Sequence, residues 1–514
     1  MKTKIKMEKV FSYKTLSWGM IVLFLLSLFP ILYCSFFDYA TGDDLWEGAA
    51  AYQILQQGGT LRELFSAVFS WMKMDYLGWQ GNWSSTFLWC FSPNVFGEKA
   101  YCITPWIGLC SICAGHWYCF RYFNEKYIGL RKEMFLFLYS LITLFAIQYM
   151  PYIRGGIFWY SAMINYTFPY GLTMAIFVWI DKFLNGKKYR YLVFLTLAFS
   201  FLGGSGYLAI VLNFEILALV IVYQLIKKDR CKRKKALLLG IPFILLLIGF
   251  AVSAMSPGNA IRGGEGYGFD ISTVILTLKE CIVQGLAAVP KTLWEVKVIL
   301  FTLPLAVIGI WENLDLDKTK LKFQHPFITI AFLFLVSCSV YAPGIYSGDE
   351  LSGGVYDTIY FVFILFFYLS VLYVVGYIKT RIDVKKNESR LIGSPQTVLR
   401  IRATVLFLTL MLGLIGGKYL LNGSAWDTCV DFIASGQLKD FEEQMQERLS
   451  ILHDPSIKEV VLPEMNDQQG PFMHMPLTSD PKSYTNYATA RFYGKDSVIA
   501  VPREEYEALQ ESGR

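Results

Sequence analysis

The chain has 514 residues, of which 54% are hydrophobic and only 17% charged, and its mean hydropathy is +0.40. A water-soluble protein of this length needs a charged surface, so the composition excludes one and makes lipid the solvent for most of the chain. The formal net charge of +6 comes from Lys and Arg in short clusters between apolar runs, which is a topological pattern and excludes a nucleic-acid surface.

Bilayer hydrocarbon is about 30 Å thick, so each crossing needs about 20 mostly apolar residues in a helix that satisfies its own backbone. The opening MKTKIKMEKV places four lysines ahead of an apolar run from Leu16 to Phe37. That run is longer than a signal-peptide core and lacks a small-residue cleavage site, so it reads as a retained first helix leaving the cytoplasm. Further runs fall at 84–119 (one long or broken span), 133–151, 166–184, 189–203, 206–226, 236–255, 292–311, 325–343, 357–378 and 403–421. With the first they predict an all-α polytopic membrane protein of about eleven transmembrane helices. The clusters Arg121 to Lys132, Lys187 to Arg190, Lys227 to Lys235, Lys318 to Lys322 and Lys379 to Arg402 then share the side of the N-terminus. This threading puts the N-terminus inside and the C-terminus outside, as expected in a bacterial plasma membrane.

Outside lie residues 38–83, 152–165, 256–291, 344–356 and the tail from Asn422. In LRELFSAVFSWMKM, Leu61, Leu64, Phe65, Val68, Phe69 and Met72 recur at helical spacing while Arg62, Glu63, Ser66 and Lys73 fall elsewhere. Such a helix lies along a membrane surface, and Ile271 to Val289 carries a weaker version of the pattern. The pair predicts a shelf at headgroup depth, suited to a lipid-borne substrate. Past Asn422 the character changes: DFIASGQLKDFEEQMQERLSIL reads as a soluble amphipathic helix, and IKEVVLP and DSVIAV read as strands. The expected organisation is a transmembrane domain over 1–421 and a small α/β domain over 422–514 on the extracytoplasmic side.

Three groups of polar residues point to chemistry. Asp43, Asp44 and Glu47 follow the first helix within a few residues, and adjacent carboxylates at the mouth of a cavity serve as a general base or as cation ligands. A plain solvated acidic loop is the alternative. Arg154 in YIRGGIFWYSAMINYTFPYG and Arg262 in SPGNAIRGGEGYG lie outside, where arginine is scarce, among glycines that let backbone approach a ligand and aromatic rings that stack on sugars. Guanidinium groups grip phosphate, so these segments, with Trp159, Tyr160 and Asn259, are candidate substrate contacts; either arginine can equally snorkel to headgroups. YAPGIYSGDELSGGVYD adds Asp349, Glu350 and Asp357, in what can also be an ordinary connector. Glu215, inside an apolar run, is the one feature that points toward transport. The ten cysteines lie mostly in apolar runs, and the Cys110–Cys113 pair has no second pair to complete a metal site. The four histidines are isolated, so no metal ligand set is predicted.

The stretch Gly42 to Tyr52, GDDLWEGAAAY, resembles the opening loop of the GT-C superfamily of membrane glycosyltransferases. In its protein mannosyltransferase and aminoarabinose transferase branches the loop carries an acidic pair, an Ala-rich helix and a Gly-containing turn. Here Asp43-Asp44 stands where Asp-Glu is usual, and Gly58-Gly59 stands at the turn. A group of multi-pass bacterial proteins with an outer-face C-terminal domain is similar in the Asp-Asp loop, in Tyr76 to Trp83, and in Ser256 to Asn259 followed by Arg262. That group often continues Trp-Gly with Arg, where this chain has Asn82 after Gly81.

The resemblance implies transfer of a sugar from a polyprenyl-phosphate carrier to a glycan or lipid acceptor on the outer face, with inversion. Asp43 or Asp44 then serves as the base, and Arg154 or Arg262 stabilises the departing lipid phosphate, a role worth about 3 kcal/mol. A divalent cation is optional in such a scheme. The competing functions are a transporter or flippase for a lipid-linked glycan, and an assembly partner for cell-surface polysaccharide. Transport predicts polar groups near the midplane, whereas the candidate charges here gather at one face.

Overall fold

The computed structural model describes residues 12–227, 229–263, 270–348, 353–385, 395–466 and 469–512. The lysines of the opening decapeptide, and Asp349 and Glu350, lie outside the described residues. Six helices among them are long and apolar enough to cross a membrane: Tyr13–Phe37, Tyr160–Asn185, Tyr207–Ile226, Arg230–Ala254, Ile271–Glu295 and Gly353–Ile382. Arg190–Leu202, Val298–Asn313 and Pro326–Ser339 are shorter apolar helices. The chain is therefore helical and membrane-embedded, and several of the eleven expected runs fold as helices shorter than a full crossing. The expected run 84–119 is broken: a short helix Trp83–Trp89 and a pair of tight turns precede the helix Ile103–Phe123.

Contacts between distant loops define two ends. Leu130 bridges Leu314, and the Lys320 amide donates to the Tyr127 carbonyl at 2.8 Å. Lys379 Nζ donates to the Trp311 and Leu314 carbonyls at 2.7 and 2.6 Å, and Arg402 pairs with Glu312 at 2.5 Å. Tyr127 Oη donates to Asp181 at 2.6 Å, and Lys235 Nζ caps the carbonyls of Leu184 and Gly186. The basic clusters thus collect at one end of the helical body, the partition that the positive-charge pattern anticipates.

Ile271–Glu295 was expected to lie on the surface, yet it is also long and apolar enough to cross. Its connectivity bears on the choice. The Asp270 amide donates to Tyr346 Oη at 3.3 Å, beyond the far end of Pro326–Ser339, and the helix that follows Glu295 descends to Asn313 at the basic end. Both ends of Ile271–Glu295 therefore face away from the basic loops, with Cys281 and Gly285 packed toward Cys338.

The helix Leu61–Gly78 starts on a reciprocal cap between Thr60 and Glu63. It buries Leu64, Val68, Trp71 and Asp75, while Leu61, Phe65 and Phe69 face outward. The apolar stripe is therefore divided between a core face and a face available to lipid. Beyond it, Gly81 and Gly258 permit two loops to interlock. A Cβ on Gly81 would overlap the Ser253 carbonyl, and one on Gly258 would lie 2.5 Å from the Trp79 nitrogen.

The C-terminal segment begins with Ala425–Ala434 and Gln437–Leu452, separated at Gly436, whose φ of +81° stops the single helix expected there. Strands β1 (Glu459–Pro463) and β2 (Ser497–Val501) pair in parallel, with the helix Tyr484–Tyr493 between them in sequence. A parallel pair requires such a crossover, so the two strand expectations hold and combine as a βαβ unit. Leu452, Val460, Leu462, Ala490 and Val498 form a small core of their own. Cys429, Phe432, Phe441 and Phe472 instead join the buried cluster that contains Ile31, Cys34 and Phe158. Asn422 therefore marks a change of composition and not a break in packing.

Candidate functional site

Opposite the basic end, the chain leaves its first helix through Asp38–Thr41 and turns at Gly42 into the helix Asp43–Gln56. Gly42 has φ +48°, and a Cβ there would overlap Met475 Sδ, so glycine alone fits the turn. This turn puts both aspartates in the first turn of the helix, where negative charge opposes the helix dipole.

Each carboxylate of the cluster has its own set of neutral donors. Asp44 is fully buried: Ser161 donates to one oxygen from its amide at 2.9 Å and from its hydroxyl, and Tyr101 Oη donates to the other. Asp43 is half-buried and accepts from Tyr484 Oη at 2.8 Å. Glu47 is buried and accepts from Trp71 Nε1 at 2.8 Å. Asp75, also buried, accepts from Thr86 Oγ1 at 2.9 Å. Burial pushes all four carboxyls up. Asp44 rises to about 7 against the pull of its Ser161 and Tyr101 hydrogen bonds. Asp43 rises through burial, with Tyr484 and Arg262 opposing the shift. Glu47 and Asp75 are raised by burial, and the charge of Asp75 raises Glu47 further.

Two arginines face this cluster. Arg262 donates to Gln80 Oε1 at 2.8 Å, lies 5.2 Å from the Trp79 ring centroid, and acts electrostatically on both Asp43 and Asp75. Arg491, from the C-terminal segment, stacks over Trp71 at 4.0 Å and Trp46 at 5.0 Å and feels the charge of Glu47. Tyr52 and Phe492 stack at 4.0 Å, which fixes that segment against the acidic helix.

The expected site residues therefore separate. Asp43, Asp44 and Glu47 share the start of one helix, and Arg262 reaches Gln80, just past Asp75 on the neighbouring helix. Arg154 does not join them: its Nε donates to the Gly470 carbonyl at 3.1 Å, anchoring the C-terminal segment. Asn259 accepts from the Gly81 amide at 3.0 Å and donates to the Ser253 carbonyl at 2.7 Å, which fastens the short helix Pro257–Gly263 that carries Arg262. Tyr160 borders the cluster, its amide donating to Tyr101 Oη at 3.2 Å; Trp159 precedes it with a buried indole N–H that has no partner among the described residues. Asp357 is buried away from the cluster and accepts from the Tyr152 amide at 2.7 Å. Among the described residues no group of three or more His, Cys, Asp or Glu side chains is arranged to hold a metal ion.

The sequence reading missed Asp75 and Arg491. Asp75 had a signal: it continues the spacing of Leu64, Val68 and Trp71, an acid on a buried face. Arg491 had none, because its place depends on how the C-terminal segment docks. Chemically, the cluster offers a partly accessible carboxylate, buried carboxyls of raised proton affinity behind it and an exposed guanidinium at Gln80. Comparison with protein-family models, curated proteins and solved structures returns no match for this chain.

Proposed function

We propose that the protein is a membrane glycosyltransferase that moves a sugar from a polyprenyl-phosphate carrier to a glycan or lipid acceptor at the outer face of a bacterial plasma membrane. The observation that carries this reading is the acidic cluster of Asp43, Asp44, Glu47 and Asp75 at the end away from the basic loops, with the exposed Arg262 bonded to Gln80, whose amide returns to the Asp75 carbonyl at 3.1 Å. Tyr13 lies at the basic end and Ala425 near the opposite one, so an odd number of crossings such as eleven suits the reading, with the C-terminal segment outside.

In this scheme an acceptor hydroxyl oxygen attacks the anomeric carbon as the bond from that carbon to the phosphate oxygen breaks. Asp43 takes the hydroxyl proton, since it is the carboxylate with exposed surface, and single displacement inverts the centre. Arg262 faces the charge that grows on the lipid phosphate, and Asp44, held by three hydrogen bonds, positions the acidic helix. The exposed ring of Tyr484, packed 5.9 Å from Trp46, supplies stacking surface for sugar. Glu215, the group that favoured transport, accepts from Ser339 Oγ at 2.7 Å and ties two helices together, which accounts for it without a transport path.

The test is turnover of a panel of polyprenyl-phosphate monosaccharides by protein in lipid nanodiscs, read as released polyprenyl phosphate. Asp43→Asn is expected to lower the rate by about 10²- to 10⁴-fold while the protein stays folded. A variant that turns over at the wild-type rate would overturn the assignment.

A further inference from the structure

At the basic end, far from the acidic cluster, lies an open cleft of about 570 Å³ between the start of the first helix, the segment at Arg131–Glu133, the end of Val298–Asn313, and Lys379 and Arg402. Four cations line it, Lys14, Arg131, Lys379 and Arg402, against the two carboxylates of Glu133 and Glu312. Among the described residues Glu312 pairs with Arg402 Nη1 at 2.5 Å, and Glu133 makes no ion pair. Arg402 also lies 5.3 Å from the Tyr13 ring centroid, and its Nε is buried with no partner among the described residues. Lys14 and Arg131 make no ion pair among the described residues. Lys379 closes the floor by capping the carbonyls of Trp311 and Leu314. Lys14 and Arg131 therefore bring to the cleft an ammonium and a guanidinium that no carboxylate among the described residues pairs with.

We propose that this cleft binds a phosphate ester. Guanidinium and ammonium groups that line one space from different segments match the several oxygens of a phosphate, as a single cation cannot. The aromatic rings of Tyr13 and Trp311 border the same cleft, and such rings mark headgroup depth in membrane proteins. Basic pockets between helices at that depth take anionic lipid headgroups. A soluble phosphate ester presents the same oxygens, so the experiment separates the two sources.

The site lies at the opposite end from the proposed transferase centre, so it stands or falls independently of it. Purified full-length protein in neutral detergent is titrated with short-chain phosphatidylglycerol, with phosphatidylcholine and with inorganic phosphate, and thermal unfolding is followed. Saturable stabilisation by phosphatidylglycerol, with none from phosphatidylcholine, supports a lipid headgroup; saturable stabilisation by inorganic phosphate at millimolar concentration supports a soluble ester. In either case the double variant Lys14→Gln/Arg131→Gln, which removes two exposed cations without breaking an ion pair, is expected to weaken binding by roughly 30-fold. Circular dichroism of the variant checks that it is folded. A folded double variant that binds as tightly as wild type, or the absence of any saturable response to either anion, overturns the proposal.

Discussion

The two ends of this molecule treat carboxylates in opposite ways. At the basic end Asp181 is answered by Lys126 and by the hydroxyls of Tyr122 and Tyr127 at 2.6 Å each, and Glu312 is answered by Arg402. At the other end Asp44, Glu47 and Asp75 are buried, and among the described residues the donors on their oxygens are all Ser, Tyr, Trp or Thr. Ion pairing explains the first set as structure. The second set holds acidic groups out of water without neutralising them, an arrangement that raises their proton affinity and that folding alone does not require. Clusters of this kind concentrate at functional sites.

The largest expected effect sharpens this contrast through pH. Asp44 stands at about 7 in the fold against an ordinary value of 3.8, so the native state holds its proton over that interval and the unfolded chain does not. Stability therefore falls as pH rises from about 4 to 7, by on the order of 4 kcal/mol for this group alone. Asp43, Glu47 and Asp75 are raised too and act in the same direction. Thermal unfolding of the protein in detergent between pH 4 and 8 is expected to show this decline, and Asp44→Asn is expected to make it shallower, with the contribution of the other three carboxyls remaining. A pH-independent midpoint in the wild type would break the contrast between the ends.

Asp181→Asn probes the other end. It takes the charge from a site that Lys126 and two tyrosines share, and is expected to cost about 2 kcal/mol of stability while leaving turnover unchanged. Lost activity with unchanged stability would show that the basic end is not merely structural. The smallest effect is expected for Arg491→Ala, which loses the stacking on Trp71 and Trp46, about 1 kcal/mol, read as a lower unfolding midpoint with Arg491→Lys intermediate.

Much of this was legible before any coordinates. Hydropathy located the long helices, and the spacing of Lys and Arg sorted the loops into two groups that the contacts Lys320–Tyr127 and Lys235–Gly186 bring to one end. The strand-like runs IKEVVLP and DSVIAV located β1 and β2. Helix lengths were less legible, because hydropathy cannot distinguish a full crossing from a shorter buried helix such as Pro326–Ser339. Asp43, Asp44 and Glu47 were found by proximity in sequence. Arg154 and Arg262 had equivalent local contexts, rich in glycine and aromatic residues, and only tertiary docking separates them: one meets the Gly470 carbonyl, the other meets Gln80 just past Asp75. Side chains such as Tyr101, Ser161 and Arg491 carry no local mark, since their roles come from segments that pack together from afar.

The central claim is that Arg262 and the carboxylates of the acidic helix serve one site for a lipid phosphate. Equilibrium binding of polyprenyl phosphate, the product common to every donor of this class, tests it without knowledge of the sugar. In nanodiscs, Arg262→Gln is expected to raise the Kd by about tenfold or more, and Asp43→Asn to bind at least as tightly as wild type because a repelling charge is gone. Equal affinity in wild type and Arg262→Gln would contradict the account.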